Sequence, residues 1–416
     1  MQTIKAGTRR GAIRIPSSKS LAHRAFICAA LSESPVDVRC TGISKDIGAT
    51  VDCLRSLGAV FSETGANVFR VTPVNEHLPD PAIMRCGESG STLRFLLPIA
   101  AALGRNACFF TEGRLAERPI DELIGQLARN GAVIVRKEKQ LECFGRLDCG
   151  VYTVPGDVSS QYISGLLFAL PLLEGHSRLE ITGKSESSPY IALTESVLET
   201  AGIVFEKNKS GYSIRGKQKY RFPERVNVEG DWSNAAFFLC MGAFSPEGIA
   251  VSGLSPDSRQ GDRSIVDILK KYGADVMVEE DVILVKKKEK HPMTIDVSEI
   301  PDLVPVLCVL LAAAEGDSLI TNARRLRFKE SDRLKTTADM INALGGFVSE
   351  NEDGIAIKGR GGLTGGTVDP QNDHRIAMAA AAAASICERE VRVINSECTE
   401  KSYPSFWKDL SSLEVI

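Results

Sequence analysis

The same two-part pattern is written six times along the 416 residues, at intervals of about 70. One part is an apolar helix opened by small or polar residues. Its copies are SSKSLAHRAFICAAL from Ser17, SGSTLRFLLPIAAALG from Ser89, SSQYISGLLFALPLLEG from Ser159, WSNAAFFLCMGAF from Trp232, PDLVPVLCVLLAAAEG from Pro301 and NDHRIAMAAAAAASIC from Asn372. Each is apolar nearly all round, which is the signature of a buried helix and not of a surface one. The other part is an amphipathic helix, a glycine that ends it, a β-branched run and a polar turn that returns the chain, as in DELIGQLARNGAVIVRKEKQLECF. A sixth copy, TEKSYPSFWKDLSSL, stops after its helix. Helices and hairpins alternating at this pace indicate an α/β fold.

A chain of 416 residues exceeds the size at which one core stops growing, so two domains are expected. The six units divide into two groups of three, with a boundary near residues 223–228, just before EGDWS. Net charge is -3, with 43% hydrophobic and 25% charged residues, so nothing attracts the whole molecule to nucleic acid or an anionic membrane. Any anion site must be local. The start, MQTIKAGTRRG, lacks the apolar core of a signal peptide, and the longest apolar stretches, 304–314 and 376–386, are too short to span a bilayer. A soluble, cytoplasmic location is expected. The eleven cysteines include no C-x-x-C pair, and the histidines at 23, 77, 176, 291 and 374 do not cluster with them. The expectation is reduced, apolar filler and no metal site.

Helix N-termini carry unpaired N–H groups and partial positive charge, so buried helices converging on a cleft would trap anions. The residues at these starts support that reading. Lys19, Ser20 and Arg24 open the first helix; Ser89, Gly90, Ser91 and Arg94 the second; Ser159, Ser160 and Gln161 the third; Asn372, Asp373, His374 and Arg375 the last. Gly90 would let a ligand approach the backbone. ERP adds Arg118, KESDR adds Lys329, Glu330 and Arg333, and TEKSYP adds Lys401. Each has a plainer reading: Ser-Ser before a helix is commonly an N-cap, and a lone Arg is commonly a solvated charge. Arg375 is the sharpest, because it leads directly into an apolar and alanine run where a cation needs a buried partner or a ligand.

Nine short motifs in order, PSSKSLAHR (16–24), ESGSTLR (88–94), ERPI (117–120), VSSQYISGLL (158–167), SSPYI (187–191), IPD (300–302), KESDRL (329–334), NDHRIAM (372–378) and EKSYPSF (400–406), span essentially the whole chain. On these the sequence resembles the EPSP synthase (3-phosphoshikimate 1-carboxyvinyltransferase) family. The resemblance implies a two-domain inside-out α/β barrel with three βαβαββ-type repeats per domain, helices buried and sheets facing solvent. It implies a domain over 16–227, and a second over 1–15 and 228–416, with the active site between them and Lys19 close to the crossover. Family members transfer the carboxyvinyl group of phosphoenolpyruvate to shikimate 3-phosphate, in the shikimate pathway of aromatic amino acid biosynthesis, as monomers without metal or organic cofactor.

By the same resemblance Lys19, Ser20, Arg24, Ser159, Ser160, Gln161, Tyr190, Asp302 and Lys329 hold shikimate 3-phosphate. Lys19, Gly90, Arg118, Gln161, Arg333, Arg375 and Lys401 hold phosphoenolpyruvate, and Asp302, Glu330 and Lys19 move protons. Two positions depart from the family pattern. Glu88 stands where many relatives have Asn, and Arg325 stands where relatives often have an Asn that touches the substrate.

The chemistry explains the residue types. Each substrate brings a phosphate and a carboxylate, and their mutual repulsion at low dielectric calls for several fixed cations, Arg above all for its bidentate grip. Protonating C3 of phosphoenolpyruvate, adding the 5-hydroxyl at C2 and then expelling phosphate needs one group that gives and takes a proton and another that deprotonates the hydroxyl. The rival readings are the enolpyruvyl transferase acting on UDP-N-acetylglucosamine, an RNA 3′-phosphate cyclase and a non-catalytic repeat scaffold. The first usually carries a Cys five residues before the Arg-Pro pair, where this chain has Gly113; the second would show a nucleotide-linked catalytic His; the third would bind neither small anion.

Overall fold

The computed structural model describes residues 1–75, 80–183 and 186–416; His77 lies outside them. Contacts divide the chain into a central unit, Lys19–Val228, and a flanking unit, Met1–Ser18 with Glu229–Ile416. Among the described residues no helix is long and apolar enough to cross a membrane. Ten of the eleven cysteines are buried, and Cys149 is exposed.

The central unit runs through α1 (Lys19–Leu31), α2 (Lys45–Ser56), α3 (Gly90–Ala102), α4 (Asp121–Arg129), α5 (Ser160–Ala169) and α6 (Ser188–Thr200). Its sheets repeat one design. Ala82–Gly87 lies parallel to Ala107–Thr111, which is followed across the sheet by Gln140–Phe144 and Val133–Lys137, both antiparallel. Val151–Pro155, Ser177–Thr182, Gly211–Ile214 and Phe205–Asn208 repeat that order. A parallel neighbour needs a crossover, and the buried helices α3 and α5 supply it. The first copy has no preceding strand of its own, so Arg225–Asn227, from the end of the unit, pairs parallel with Val36–Arg39 in that place.

The flanking unit contains α7 (Trp232–Gly242), α8 (Ile265–Tyr272), α9 (Val304–Ala312), α10 (Arg333–Ala343), α11 (His374–Ala383) and α12 (Phe406–Ser412). The same design recurs in the sheet Thr294–Asp296, Glu315–Thr321, Ile355–Arg360 and Val348–Glu350. Here the leading strand before α7 is Arg9–Arg14, parallel to Ile249–Ser252. The sixth pattern, which in the sequence ends at its helix, is completed from the other end of the chain: Gln2–Ile4 pairs antiparallel with Val391–Val393. A last short strand, Glu414–Val415, then joins the edge of Arg9–Arg14.

Every residue of α7, α9 and α11 is buried, and the three helices pack on one another. The alanine run of α11 presents no side chain beyond Cβ, which lets its neighbours come close. In the central unit α3 packs on α5 at a specific point. Pro98 has no N–H to give the Arg94 carbonyl four residues back, and Gly165 lies against that carbonyl so closely that a Cβ would sit 2.2 Å from its oxygen. The outer hairpin strands Val133–Lys137 and Asp275–Glu279 contain no buried residue. Helices are therefore inside and sheets outside. Gly58, Gly131, Gly202 and Gly345 follow the C-caps of α2, α4, α6 and α10 at φ 102, 97, 75 and 86°, and Gly273 is itself the cap of α8 at φ 104°, the left-handed turn that leads each helix into its hairpin.

Candidate active site

In the central unit the sequence-singled residues gather at helix starts. Ser89 and Ser159 do cap α3 and α5, their hydroxyls accepting from the N–H groups of Thr92 and Gln161; Ser160 is the first residue of α5. Arg24 is buried and anchored through each of its three nitrogens, donating from Nε to Thr194 Oγ1 at 2.8 Å and from its two Nη atoms to the carbonyls of Ser20 and Tyr190 at 2.7 and 2.8 Å. Its guanidinium lies 5.1 Å from the Phe95 ring centroid. Burial pulls its pKa down to about 10. Lys19, first in α1, pairs with Asp46 at 2.8 Å.

The start of α3 is crowded with cations. A Cβ at Gly90 would lie 2.6 Å from Arg94 Nη1 and 3.1 Å from Arg118 Nη1, so only glycine leaves room there. Arg94 is pinned by Gln161 Oε1 at 2.9 Å and the Pro119 carbonyl at 2.7 Å, and Gln161 in turn donates to Ser91 Oγ at 3.0 Å. This links the heads of α3 and α5. Glu88 has a local explanation: its carboxyl fills the space beside Gly113, where a Cβ would come within 2.6 Å of Glu88 Oε2 and where φ is +52°. A side chain at 113 is therefore excluded twice, by the left-handed backbone and by Glu88.

In the flanking unit Asp302, Lys329, Glu330, Arg333 and Arg375 form one cluster. Asp302 Oδ1 accepts from Arg333 at 3.0 Å and lies 3.5 Å from Lys329 Nζ, while Oδ2 accepts from Arg375 at 2.8 Å. Burial would raise the pKa of this carboxyl, but Arg375, Lys329 and Arg333 outweigh it and hold Asp302 well below the usual carboxylate range. Arg333, itself buried, also donates to Glu330 Oε2 at 2.5 Å and to Asp373 at 2.8 and 3.2 Å. Burial would lower its pKa, but Asp373, Glu330 and Asp302 raise it instead. Lys329 goes the other way: burial, assisted by Arg333 and Arg325, brings it down to about 8 despite Asp302 and Glu330. Arg325 is held by the Ser298 carbonyl at 2.6 Å. Lys401 donates to the Asn372 carbonyl at 2.8 Å, beside the start of α11.

Three residues matter more than their sequence motifs suggested. Asp373 is fully buried, caps α11 by accepting from the Arg375 N–H, and also accepts from Ser331 Oγ and Arg333. An Asp immediately before a helical HR was the available signal. Asp46 holds Lys19, and nothing near residue 46 in the sequence pointed to residue 19. Asp262, buried and bonded by Ser233 Oγ, is lifted to about 7 by burial and by Asp302, with Arg375 opposing. Among the described residues no group of three His, Cys, Asp or Glu is arranged to hold a metal ion.

A family model described as EPSP synthase (3-phosphoshikimate 1-carboxyvinyltransferase) matches residues 5–410. The chain belongs to this family. A curated relative from Clostridium kluyveri, named 3-phosphoshikimate 1-carboxyvinyltransferase, is 42% identical over 97% of this chain and 95% of its own length; one of the same name from Clostridium acetobutylicum is 43% identical with the same coverage. Among solved structures, an EPSP synthase from Acinetobacter baumannii aligns over 100% of this chain and 99% of its own at a TM-score of 0.80 with 24% identity. An enolpyruvyl transferase from Streptomyces tendae aligns over 100% and 97% at a TM-score of 0.78 with 18% identity. At those identities the two structures speak for the inside-out α/β fold alone.

Proposed function

We propose that this EPSP synthase family member transfers the carboxyvinyl group of phosphoenolpyruvate to the 5-hydroxyl of shikimate 3-phosphate, with release of phosphate, in the shikimate pathway. The observation that carries the reading is the Asp302 clamp: a carboxylate held ionised by Arg375, Lys329 and Arg333, with Glu330 on the same arginine.

The roles follow from the chemistry of each group. Asp302, held ionised by its cations, cannot be the standing acid and is assigned as the proton acceptor for the 5-hydroxyl, a weak base until the substrate anions draw those cations away. Glu330, 16% exposed and bonded to Arg333, is the carboxyl assigned to C3. Lys19, drawn from Asp46 when an anion arrives, shares the proton traffic. Arg118, Arg333, Arg375, Lys401, Gln161 and the Gly90 backbone hold phosphoenolpyruvate, and Arg24, Ser20, Ser159, Ser160, Tyr190 and Lys329 hold shikimate 3-phosphate. Neither unit carries the whole set. The departing phosphate is stabilised by cations already fixed in place, which costs no reorganisation during the reaction. A cytoplasmic monomer fits the family resemblance.

Phosphate release measured with shikimate 3-phosphate and phosphoenolpyruvate together tests the proposal, each substrate alone serving as the blank. Release that requires both supports it. Release with UDP-N-acetylglucosamine in place of shikimate 3-phosphate, or none with either acceptor, overturns it.

A further inference from the structure

A line of buried hydrogen bonds runs beneath the cationic start of α3. His23 Nδ1 lies 2.7 Å from Thr50 Oγ1, Thr50 Oγ1 lies 2.6 Å from Thr92 Oγ1, and Thr92 Oγ1 donates to Ser89 Oγ at 2.7 Å. The four residues come from α1, α2, α3 and the cap of α3, and each is at most 1% exposed. Their hydrogens can be assigned by counting. Thr92 has one hydroxyl hydrogen, for which Ser89 Oγ at 2.7 Å and the Asp46 carbonyl at 3.5 Å compete; the shorter contact takes it, and with either acceptor Thr92 can only accept toward Thr50. Thr50 then gives its single hydrogen to Thr92 and must accept from His23. Nδ1 of His23 therefore carries the proton and Nε2 is the bare nitrogen; Nε2 is buried and has no hydrogen-bond partner.

The reverse tautomer would bury an N–H donor with nothing to receive it, the costlier way to leave an atom unsatisfied. The imidazolium would do the same and also face Lys19 and Arg24, the charged groups near it; burial first and those two cations next push the His23 pKa well below its ordinary value. At the far end, Ser89 Oγ accepts from Thr92 twice, through its N–H and its hydroxyl. With Thr92 as the donor in that contact, Ser89 keeps its own hydrogen. It sits at the head of α3, one residue before Gly90, where the guanidinium groups of Arg94 and Arg118 converge.

We propose that His23 is a positioning residue for phosphoenolpyruvate: as a permanently neutral Nδ1–H tautomer it polarises the Thr50, Thr92 and Ser89 hydroxyls in one direction, fixing the head of α3 and leaving the Ser89 hydrogen as a donor for the bound anion. The ligand half of this statement rests on the function proposed above; the tautomer half does not. A donor at the His23 position is what the chain needs, and a ring is not. Asn, whose amide N–H falls near Nδ1, should serve, whereas Thr50→Val cuts the line in the middle while keeping its shape.

Two measurements separate the halves. With histidine labelled in ¹⁵N, the signal lost in His23→Asn identifies His23, and it should show the Nδ1–H tautomer with no titration between about pH 5 and 8, the range in which free histidine changes charge. An Nε2–H tautomer or a titrating ring overturns the proposal whatever the enzyme's activity. In steady-state kinetics Thr50→Val and His23→Leu should raise KM for phosphoenolpyruvate about tenfold, the worth of roughly one hydrogen bond to a charged group, and leave KM for shikimate 3-phosphate within about twofold, while His23→Asn stays near wild type. Equal changes in both KM values, or a His23→Asn variant as impaired as His23→Leu, would reduce His23 to a packing residue.

Discussion

Replacing Gly90 by alanine introduces one methyl where the structure has two guanidinium groups and no space. The new Cβ would stand 2.6 Å from Arg94 Nη1 and 3.1 and 3.2 Å from Arg118 Nη1 and Cζ. A long side chain usually swings away from such a contact cheaply, but Arg94 is 2% exposed and tied at its tip to Gln161 and the Pro119 carbonyl. Moving it sacrifices at least one charge-assisted bond, about 1.5–3 kcal/mol, which for a unit of this size lowers Tm by about 3–12 °C. Arg118 must also yield by a few tenths of an ångström, and it is the residue assigned to phosphoenolpyruvate. We expect KM for phosphoenolpyruvate, and the inhibition constant of any mimic of it, to rise about tenfold, equivalent to about 1.4 kcal/mol. KM for shikimate 3-phosphate should stay within about twofold, because Arg24 and its anchors on Ser20, Tyr190 and Thr194 are untouched. Phosphate release with each substrate varied in turn, alongside calorimetric melting, reads both numbers. Unchanged kinetics and an unchanged Tm would show that the arginines relax freely; equal changes in both KM values would show that Gly90 serves only the fold.

Glu330→Gln keeps an acceptor for Arg333 but cannot relay a proton, so substrate binding should persist while kcat falls by about 10²–10⁴; a variant within a few-fold of wild type would move that role to Asp302 or Lys19. Lys329, at about 8, should lose its charge as pH rises past that value, so KM for shikimate 3-phosphate should climb on the alkaline side and Lys329→Arg should flatten the climb; a profile identical in the two proteins would clear Lys329 of the binding role. The same group has a folded pKa below its ordinary 10.5, so between those values the unfolded chain binds more protons, and its contribution to stability should rise with pH across that window. Gly165→Ala drives a methyl onto the backbone oxygen of Arg94 at 2.2 Å, a contact no rotamer relieves; a loss of about 3 kcal/mol or more is expected by denaturant unfolding, and a loss below about 1 kcal/mol would mean that α3 and α5 separate easily.

The sequence carried its periodicity openly. Six apolar helices, their polar openings, the glycines after the amphipathic helices and the motif order were enough for the fold class and for the list of ionic residues, because helix period, capping and left-handed turns are decided within a few residues of chain. It could not say how those ions are partnered. Asp373 reaches Arg333 across 40 residues, Asp302 reaches Arg375 across 73, and Arg24 reaches Thr194 across 170; such pairings depend on which helix starts the fold brings together, and no local rule encodes them. For strand exchange the family resemblance put residues 1–15 with the later domain, but not which strands they meet. Residues 2–4 complete the sixth repeat and residues 225–227 open the first, because an unpaired sheet edge takes whichever segment the topology delivers. The lowered pKa values of His23 and Lys329 are likewise set by the tertiary structure. A histidine three residues past Ser20, or a lysine in KESDR, has an ordinary pKa in an isolated peptide, and only burial among other cations moves it.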